Sequence, residues 1–375
     1  MTLNAPRVVS GLALFCSLYA GNTLAADGFK PRFPLSGTLG GEIVAPLDNP
    51  GFFGSIVLTH VDINKLTDDS GNARQQAQAG TFSTPTAIAG AVRTASYKGT
   101  VDFSLKQKQT IANLVIGHLS EKLYADGRLS LVLNLPYTTT LDRNLTLSGP
   151  TPTLSTLSPA LTSPPLPAGT AAVAQGQAQA GFATGYQAGL AAQSKGASGV
   201  VDGLGDAEIT GAWVYRKDKL KAVAGVTLAL PTGRYDKNSS LNIGNGNFYT
   251  VRPGLALAYT PSQAVTVGGR ASLGINSRNK DNNIRSGNFG ALDLAAAFRT
   301  SVGVFGPHVL HIQQYQDDDG GNLGPNRLRA TGVGAFFTTL VPGLDAAVNL
   351  SYMNMISSRN SLAGSFFQVR MSKAF

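Results

Sequence analysis

The chain of 375 residues holds a single cysteine, Cys16, and it lies inside an apolar run of residues 8–19 (VVSGLALFCSLY). Arg7 precedes that run and Thr23-Leu24-Ala25 follows it, ahead of Ala26. A positive residue, a short apolar stretch and small residues before a cleavage point mark residues 1–25 as a secretory signal peptide. Phe15 stands before Cys16 where lipidation needs a small residue, so a lipid-anchored cysteine is rejected. The mature chain then has no cysteine, which excludes disulfides and thiolate metal centres.

Charge is scarce as well. Only 14% of residues are charged, against roughly 25% in soluble domains. A soluble protein so poor in charge risks precipitation, whereas a barrel whose outer band meets lipid does not. Long apolar runs are also missing. Nothing after the leader reaches the roughly 20 residues that a membrane helix needs, so a bilayer could be crossed only by strands. Acidic residues are outnumbered, giving a net charge of +9. That balance suits nucleic acid, but an exported chain meets none. Outer-membrane lipid, lipopolysaccharide phosphates and small solutes are the expected partners.

Chemical motifs are equally sparse. Gly203-Leu204-Gly205 and Gly244-Asn245-Gly246 lack the third glycine and following helix of a phosphate-binding loop. Of the four histidines, only His118 has a serine close by, at Ser120, and Glu121 follows. Nucleophilic catalysis needs a serine held against an oriented histidine, and this pairing is read as interfacial. Asp317-Asp318-Asp319-Gly320-Gly321-Asn322 lacks the spaced ligands and distal glutamate of a calcium loop, and is read as a solvated hairpin tip. No enzyme, cofactor or metal is expected.

What the chain does have is period-two alternation. Between residues 247 and 259, Tyr249, Val251, Leu255, Leu257 and Tyr259 share one face, while Phe248, Thr250, Arg252, Gly254 and Ala256 share the other. The two tyrosines are ten residues apart, which at a strand tilt near 40° spans roughly 25 Å, the height of a barrel's apolar band. The same pattern recurs at 128–137, 206–215, 265–275, 292–299, 344–352 and 367–375. Tyr137, Trp213, Tyr215, Tyr249, Tyr259, Phe298, Tyr352 and Phe375 are the expected aromatic girdles. A terminal aromatic such as Phe375 is also what barrel-assembly machinery reads.

Connections alternate in length. Short turns are expected near 121–126, 216–219, 260–263, 300–303 and 341–343. Longer loops are expected at 65–106, 138–204, 232–246, 277–286, 316–326 and 357–363. The result is an all-β fold, a single antiparallel transmembrane barrel of about twelve strands with short periplasmic turns and long external loops. The barrel is assigned to residues 51–375, with residues 26–50 as a periplasmic segment or partial plug. Residues 158–199, inside the external loop 138–204, are low in complexity. Alanine and glutamine favour helix there, and a mobile loop is the reading preferred.

Charges on the inward faces are the candidate pore lining: Arg128, Asp206, Glu208, Arg252, Arg270, Asp293, Arg299 and Arg370. A charge on the lipid face costs about 2–4 kcal/mol at the midplane, so the lumen is their natural place. The arginines outnumber the carboxylates in this set, which predicts an anion-favouring lumen.

At Gly203-Leu204-Gly205-Asp206, at Leu230-Pro231-Thr232-Gly233-Arg234-Tyr235-Asp236 and at Gln313-Gln314-Tyr315, the chain resembles a known family. These are the outer-membrane proteins grouped under the meta-pathway of phenol degradation, a MetA-like set that includes a sphingosine-induced porin. The resemblance implies a channel for hydrophobic or aromatic compounds and carries no catalytic residue. The alternatives are a general anion-preferring diffusion porin, or a structural or adhesive barrel with no open pore.

Overall fold

The structure, a computed structural model, describes residues 49–85, 87–88, 91–158, 169–320 and 326–375. The expected signal peptide, Cys16 and all but the last two residues of segment 26–50 lie outside the described residues. The elements are β1 (Gly51–Leu66), β2 (Gln75–Ser83), β3 (Thr94–Tyr124), β4 (Gly127–Ser148), α1 (Thr170–Gly196), β5 (Gly199–Leu204), β6 (Glu208–Lys217), β7 (Leu220–Ala229), β8 (Thr250–Ser262), β9 (Val265–Asn276), β10 (Phe289–Arg299), β11 (Val304–Gln314), β12 (Arg329–Val341), β13 (Ala346–Arg359) and β14 (Leu362–Ala374).

All of these strands except β2 and β5 close into a twelve-stranded ring. The order runs β3, β1, β14 and then down in sequence to β6, followed by β4, which returns to β3. First and last strands pair antiparallel, with Phe53 opposite Ala374 and Leu66 opposite Leu362. Closure leaves no free edge, which a strand needs if its backbone is to enter hydrocarbon.

The faces are inside out relative to a soluble barrel. Leu129, Leu131, Leu133 and Leu135 of β4 are exposed on the outer surface, Leu131 at 61%, while Thr59, Asn113, Thr250, Ser351 and Gln368 are buried inside. Large apolar residues left in the open on one face of every wall strand call for lipid, not water.

Five tight turns join strands at one end. In the β3–β4 turn Ala125 (φ 49°) and Asp126 (φ 62°) both adopt the left-handed conformation, the mirror-image geometry that matches strand twist. At the other end the connections are long, with one exception. The loop expected at 357–363 is a two-residue turn between β13 and β14, in which Asn360 has a φ of 48°. Asparagine tolerates that conformation, and the alternating strands simply run further than their polar ends suggest. Pro253 and Pro307 have no N–H to give, and pairing beside them is interrupted. It passes from Val251–Ile275 to Gly254–Ser272, and from Ala295–His308 to Phe298–Phe305.

The chain forms two compact units. The wall belongs to one, made among the described residues of those in 49–72, 105–144 and 197–375. The other comprises 73–104 and 145–196 and replaces the expected mobile loop with ordered structure. In it β2 pairs with the start of β3, and α1 spans 27 residues. Ala174, Ala178, Phe182, Tyr186 and Leu190 recur every four residues and form its buried stripe. Phe182 packs on Phe82 and Tyr97 with ring centroids 5.5 and 4.8 Å apart. Beside that stripe, Gln175 and Gln179 bond the backbone of the segment at 152–157 and Gln187 bonds Gly149 O. The repetitive composition thus encodes two adjacent stripes, one apolar and one amide.

Candidate functional site

The lumen is lined from two directions. Around β3, β4, β6 and β8 runs a polar ladder. Arg252 Nη1 donates to Glu208 Oε1 at 2.8 Å, Asn134 Nδ2 to Glu208 Oε2 at 3.4 Å, and Asn113 Nδ2 to Asn134 Oδ1 at 3.0 Å. Four residues further along each strand, Gln109 Nε2 donates to Thr138 Oγ1 at 3.1 Å. Across the ring the inward side chains are Leu310 and Ile312 of β11, Ala330 of β12, Met355 of β13 and Phe366 of β14. β4 and β11 stand six strands apart either way round, so the two linings face each other. Between them lies a cavity of about 310 Å³, room for a compound of a few carbon rings at most. A larger concavity, about 1200 Å³, lies on the outward surface among Gly211, Ala224, Pro253, Leu255 and Ala271. It has few polar groups, and hydrocarbon satisfies it. The lumenal cavity, with polar groups converging on one side, is the better candidate.

The loop joining β7 to β8 supplies its upper edge through Asn242, Ile243 and Asn245. Asp206 holds that loop in place, accepting Gly233 N at 3.0 Å, Asn245 N at 2.9 Å and Asn245 Nδ2 at 3.1 Å. Thr232 Oγ1 accepts Ala207 N at 2.8 Å. Backbones approach so closely that a Cβ on Gly233 would meet Gly244 Cα at 2.6 Å; only glycine fits. Above it Arg143 donates to Gln107 Oε1 (2.8 Å) and Ser240 O (2.9 Å). Burial lowers its guanidinium to about 10, which leaves it charged at neutral pH.

A second knot forms around Gln314. Its amide N–H donates to Gly287 O and Asp318 Oδ1, and its carbonyl accepts Leu328 N at 2.7 Å. The aspartate run expected as a solvated tip is instead distributed. Asp317 takes Arg327 through two bonds of 3.0 Å, Asp318 is buried against Gly287 N and Asn326, and Asp319 meets Arg278 and Arg285. Three adjacent carboxylates are tolerable because each is matched by cations or N–H donors; Asn322 lies outside the described residues.

The remaining lining candidates fall into different settings. Arg270 Nη2 meets Asp293 Oδ2 at 2.8 Å, with the arginine side chain 27% exposed and the aspartate 1%. Arg370 is buried and donates to Gln368 Oε1 at 3.4 Å. Arg128 is half-buried at the short-turn end and donates to the carbonyls of Ser120 and Glu121. Arg299 is exposed at the end of β10. Of this set Asp206 and Glu208 line the cavity, Arg252 is bonded to Glu208, and sequence reasoning missed the lining amides Asn113, Asn134 and Gln109. Their inward parity was the available signal, but neutral amides do not draw the eye as charges do.

On the outer surface Trp213 stacks with Tyr215 at 5.4 Å and Phe298 meets Phe305 at 5.9 Å. With Tyr259 and Phe375 they lie toward the short turns. Tyr137, whose hydroxyl donates to Asp202, and Tyr249 lie toward the long loops. Tyr352 is mid-strand, opposite Phe367, rather than at either belt; alternation fixed its face but not its height. The histidines are dispersed. His118 packs on Phe52 at 4.7 Å, His60 and His311 bond Thr110 and Thr331, and His308 contacts Tyr352 O. Among the described residues none hydrogen-bonds a serine.

Comparison with solved structures finds the same fold in the COG4313 outer membrane channel from Pseudomonas putida F1, at 14% identity and a TM-score of 0.60, covering 89% of this chain and 98% of that one. The toluene transporter TodX of P. putida aligns at 12% identity and a TM-score of 0.36, covering 90% and 96%. No curated protein matches the chain. Residues 89–371 match the family described as "Putative MetA-pathway of phenol degradation". The chain belongs to that family.

Proposed function

We propose that the protein is an outer-membrane channel that admits small apolar or aromatic compounds and holds them in transit between the amide ladder and the aliphatic wall. The observation that carries this reading is the split lining of the 310 Å³ cavity. A purely aqueous pore has no use for Leu310, Ile312 and Phe366 in its lumen. An aromatic ring with one hydroxyl satisfies both sides: its face replaces water against the aliphatic wall, and its hydroxyl donates to Glu208 or to the Asn134 carbonyl. The family to which the chain belongs and the fold it shares with an outer-membrane channel support the same reading. No catalytic step enters it.

An anion-preferring diffusion pore is the second reading, favoured by the excess of inward arginines. Arg252 and Arg270 face Glu208 and Asp293 at 2.8 Å, and that pairing removes most of the field on which anion preference depends. Single-channel conductance in planar bilayers separates the two. Phenol should block wild-type channels in a saturable way, and Ile312→Asn should weaken the block while sparing open conductance. Unsaturable flux of small anions with no aromatic block would sink the first reading in favour of the second.

A further inference from the structure

We infer that the outer wall carries a site for a phosphorylated lipid head group, formed by Arg329 and Arg359 at the long-loop rim. Arg329 opens β12 and Arg359 closes β13, and the ladder sets them directly opposite each other. Their chain neighbours Ala330 and Ser358 are buried while both arginines are exposed, so both project outward. Cross-strand partners stand about 5 Å apart at Cβ, and like charges so placed destabilise a sheet. Neither arginine side chain has a hydrogen bond or ion pair to any described residue.

The neighbouring rim arginines are treated differently. Arg327 is matched by Asp317, and Arg278 and Arg285 by Asp319. The fold thus supplies carboxylates to its loop arginines and none to this wall pair. Two guanidinium forks side by side are suited to the oxygens of one phosphate. On the far side of Arg329, Gln313 of β11 is its cross-strand partner and is also exposed, adding an amide donor to the row.

Height and surroundings point to a lipid. β12 and β8 are both 13 residues long and both end in a tight turn at the same end of the barrel. Arg329 therefore stands level with Tyr249, at the outer girdle, where the polar layer of the leaflet begins. Just below, on the same face, Val333 and Ile356 are exposed and offer apolar surface to acyl chains. An arginine near this boundary costs far less than one at the midplane, so the pair is tolerated there and gains from an anion.

The test uses the full-length protein refolded into phosphatidylcholine vesicles, with unfolding followed by heat-modifiable gel mobility. The additions are diphosphorylated lipid A, dephosphorylated lipid A, or inorganic phosphate. Without additions, Arg359→Gln should melt at or above wild type, because a repulsion has been removed. Arg359→Asp, which gives Arg329 an internal partner, should melt higher still. Diphosphorylated lipid A should raise the midpoint of wild type and raise both variants clearly less, with binding to Arg359→Gln about tenfold weaker. Dephosphorylated lipid A and inorganic phosphate should do nothing. Equal lipid A shifts in all three proteins would overturn the site. So would a wild type that melts above Arg359→Gln with no lipid A present, since the arginine would then already be satisfied within the protein. A full shift from inorganic phosphate alone would overturn the lipid assignment.

Discussion

Replacing Asp206 by alanine is expected to release the β7–β8 loop from the lumen. The carboxylate accepts three N–H groups, one from Gly233 and two from Asn245, at 2.9 to 3.1 Å. Hydrogen bonds to a charged acceptor contribute about 1.5–3 kcal/mol each. Asp206 is only half-buried, so water recovers part of that, and the two Asn245 bonds are not independent. The loss totals about 3 kcal/mol, which raises the lifted population of the loop roughly a hundredfold. Lys237 lies exposed within this loop and makes trypsin a reporter: cleavage after Lys237 should accelerate by about the same factor while the wall stays intact. Single-channel conductance should rise, and aromatic block should weaken, because Asn242, Ile243 and Asn245 leave the cavity. Asp206→Asn keeps one carbonyl oxygen and should fall between the two. Wild-type cleavage and conductance in Asp206→Ala would refute the latch, and with it the idea that this loop shapes the lumen.

Other positions test the scaffold. A Cβ on Gly274 would meet the Phe289 ring at 2.1 Å, so Gly274→Ala should cost about 1–3 kcal/mol by overpacking, read as a lower midpoint of heat-modifiable mobility. Phe182→Ala should cost the unit that holds α1 about 3–5 kcal/mol, exposing α1 to protease without unfolding the wall; a wall that unfolds with it would refute the division into two units. Burial raises the hydroxyls of Tyr97 and Tyr186 above the ordinary 10.0. The unfolded chain therefore loses those protons first, and the stability of the unit should fall as pH climbs past that value, seen as loss of helical circular dichroism. Phe375 donates its N–H to Phe52 O at 2.8 Å and is 78% exposed. Deleting it should lower the amount of assembled barrel in cells while leaving the midpoint of whatever assembles nearly unchanged.

The barrel was legible because a wall strand obeys one rule at every position. Leu129 to Tyr137 and Tyr249 to Tyr259 alternate without interruption, and a closed sheet between lipid and lumen permits no exception longer than a turn. Length was less legible than face. Residues 357–363 are as polar as a loop, yet Ser358 and Asn360 are buried and hydrogen-bonded to Thr67 and Asp69, so polarity there meant internal pairing rather than solvent. The unit that holds α1 was hidden for another reason. Alanine and glutamine carry little periodic contrast in hydropathy, and the pattern that orders α1 is one of size and amide placement, with Phe182, Tyr186 and Leu190 as its large members. The site was half legible: Glu208 and Arg252 announce themselves by charge, whereas Leu310 and Ile312 read as ordinary strand residues until the ring places them across from Asn134.

The short motifs that mark the family bear on where specificity resides. Asp206 and the Leu230–Tyr235 stretch form the latch, and Gln314 forms the second knot; in both, side-chain groups are spent on backbone N–H and C=O groups of loops. Those bonds leave such groups little capacity to read a solute. A lumen-facing loop in hydrocarbon-sized surroundings must satisfy its backbone internally, and a carboxylate or amide at a fixed position is the economical way to do so. The residues free to choose among solutes are then the ones with no such duty: the aliphatic arc on β11 to β14 and the amides facing it. Exchanging Ile312 and Phe366 for smaller or larger apolar residues should therefore change which aromatic compounds block the channel. Conservative changes in the motifs should instead change how much current every compound leaves. A motif substitution such as Gln314→Glu that altered the order of preference among aromatics, with open conductance unchanged, would contradict this division.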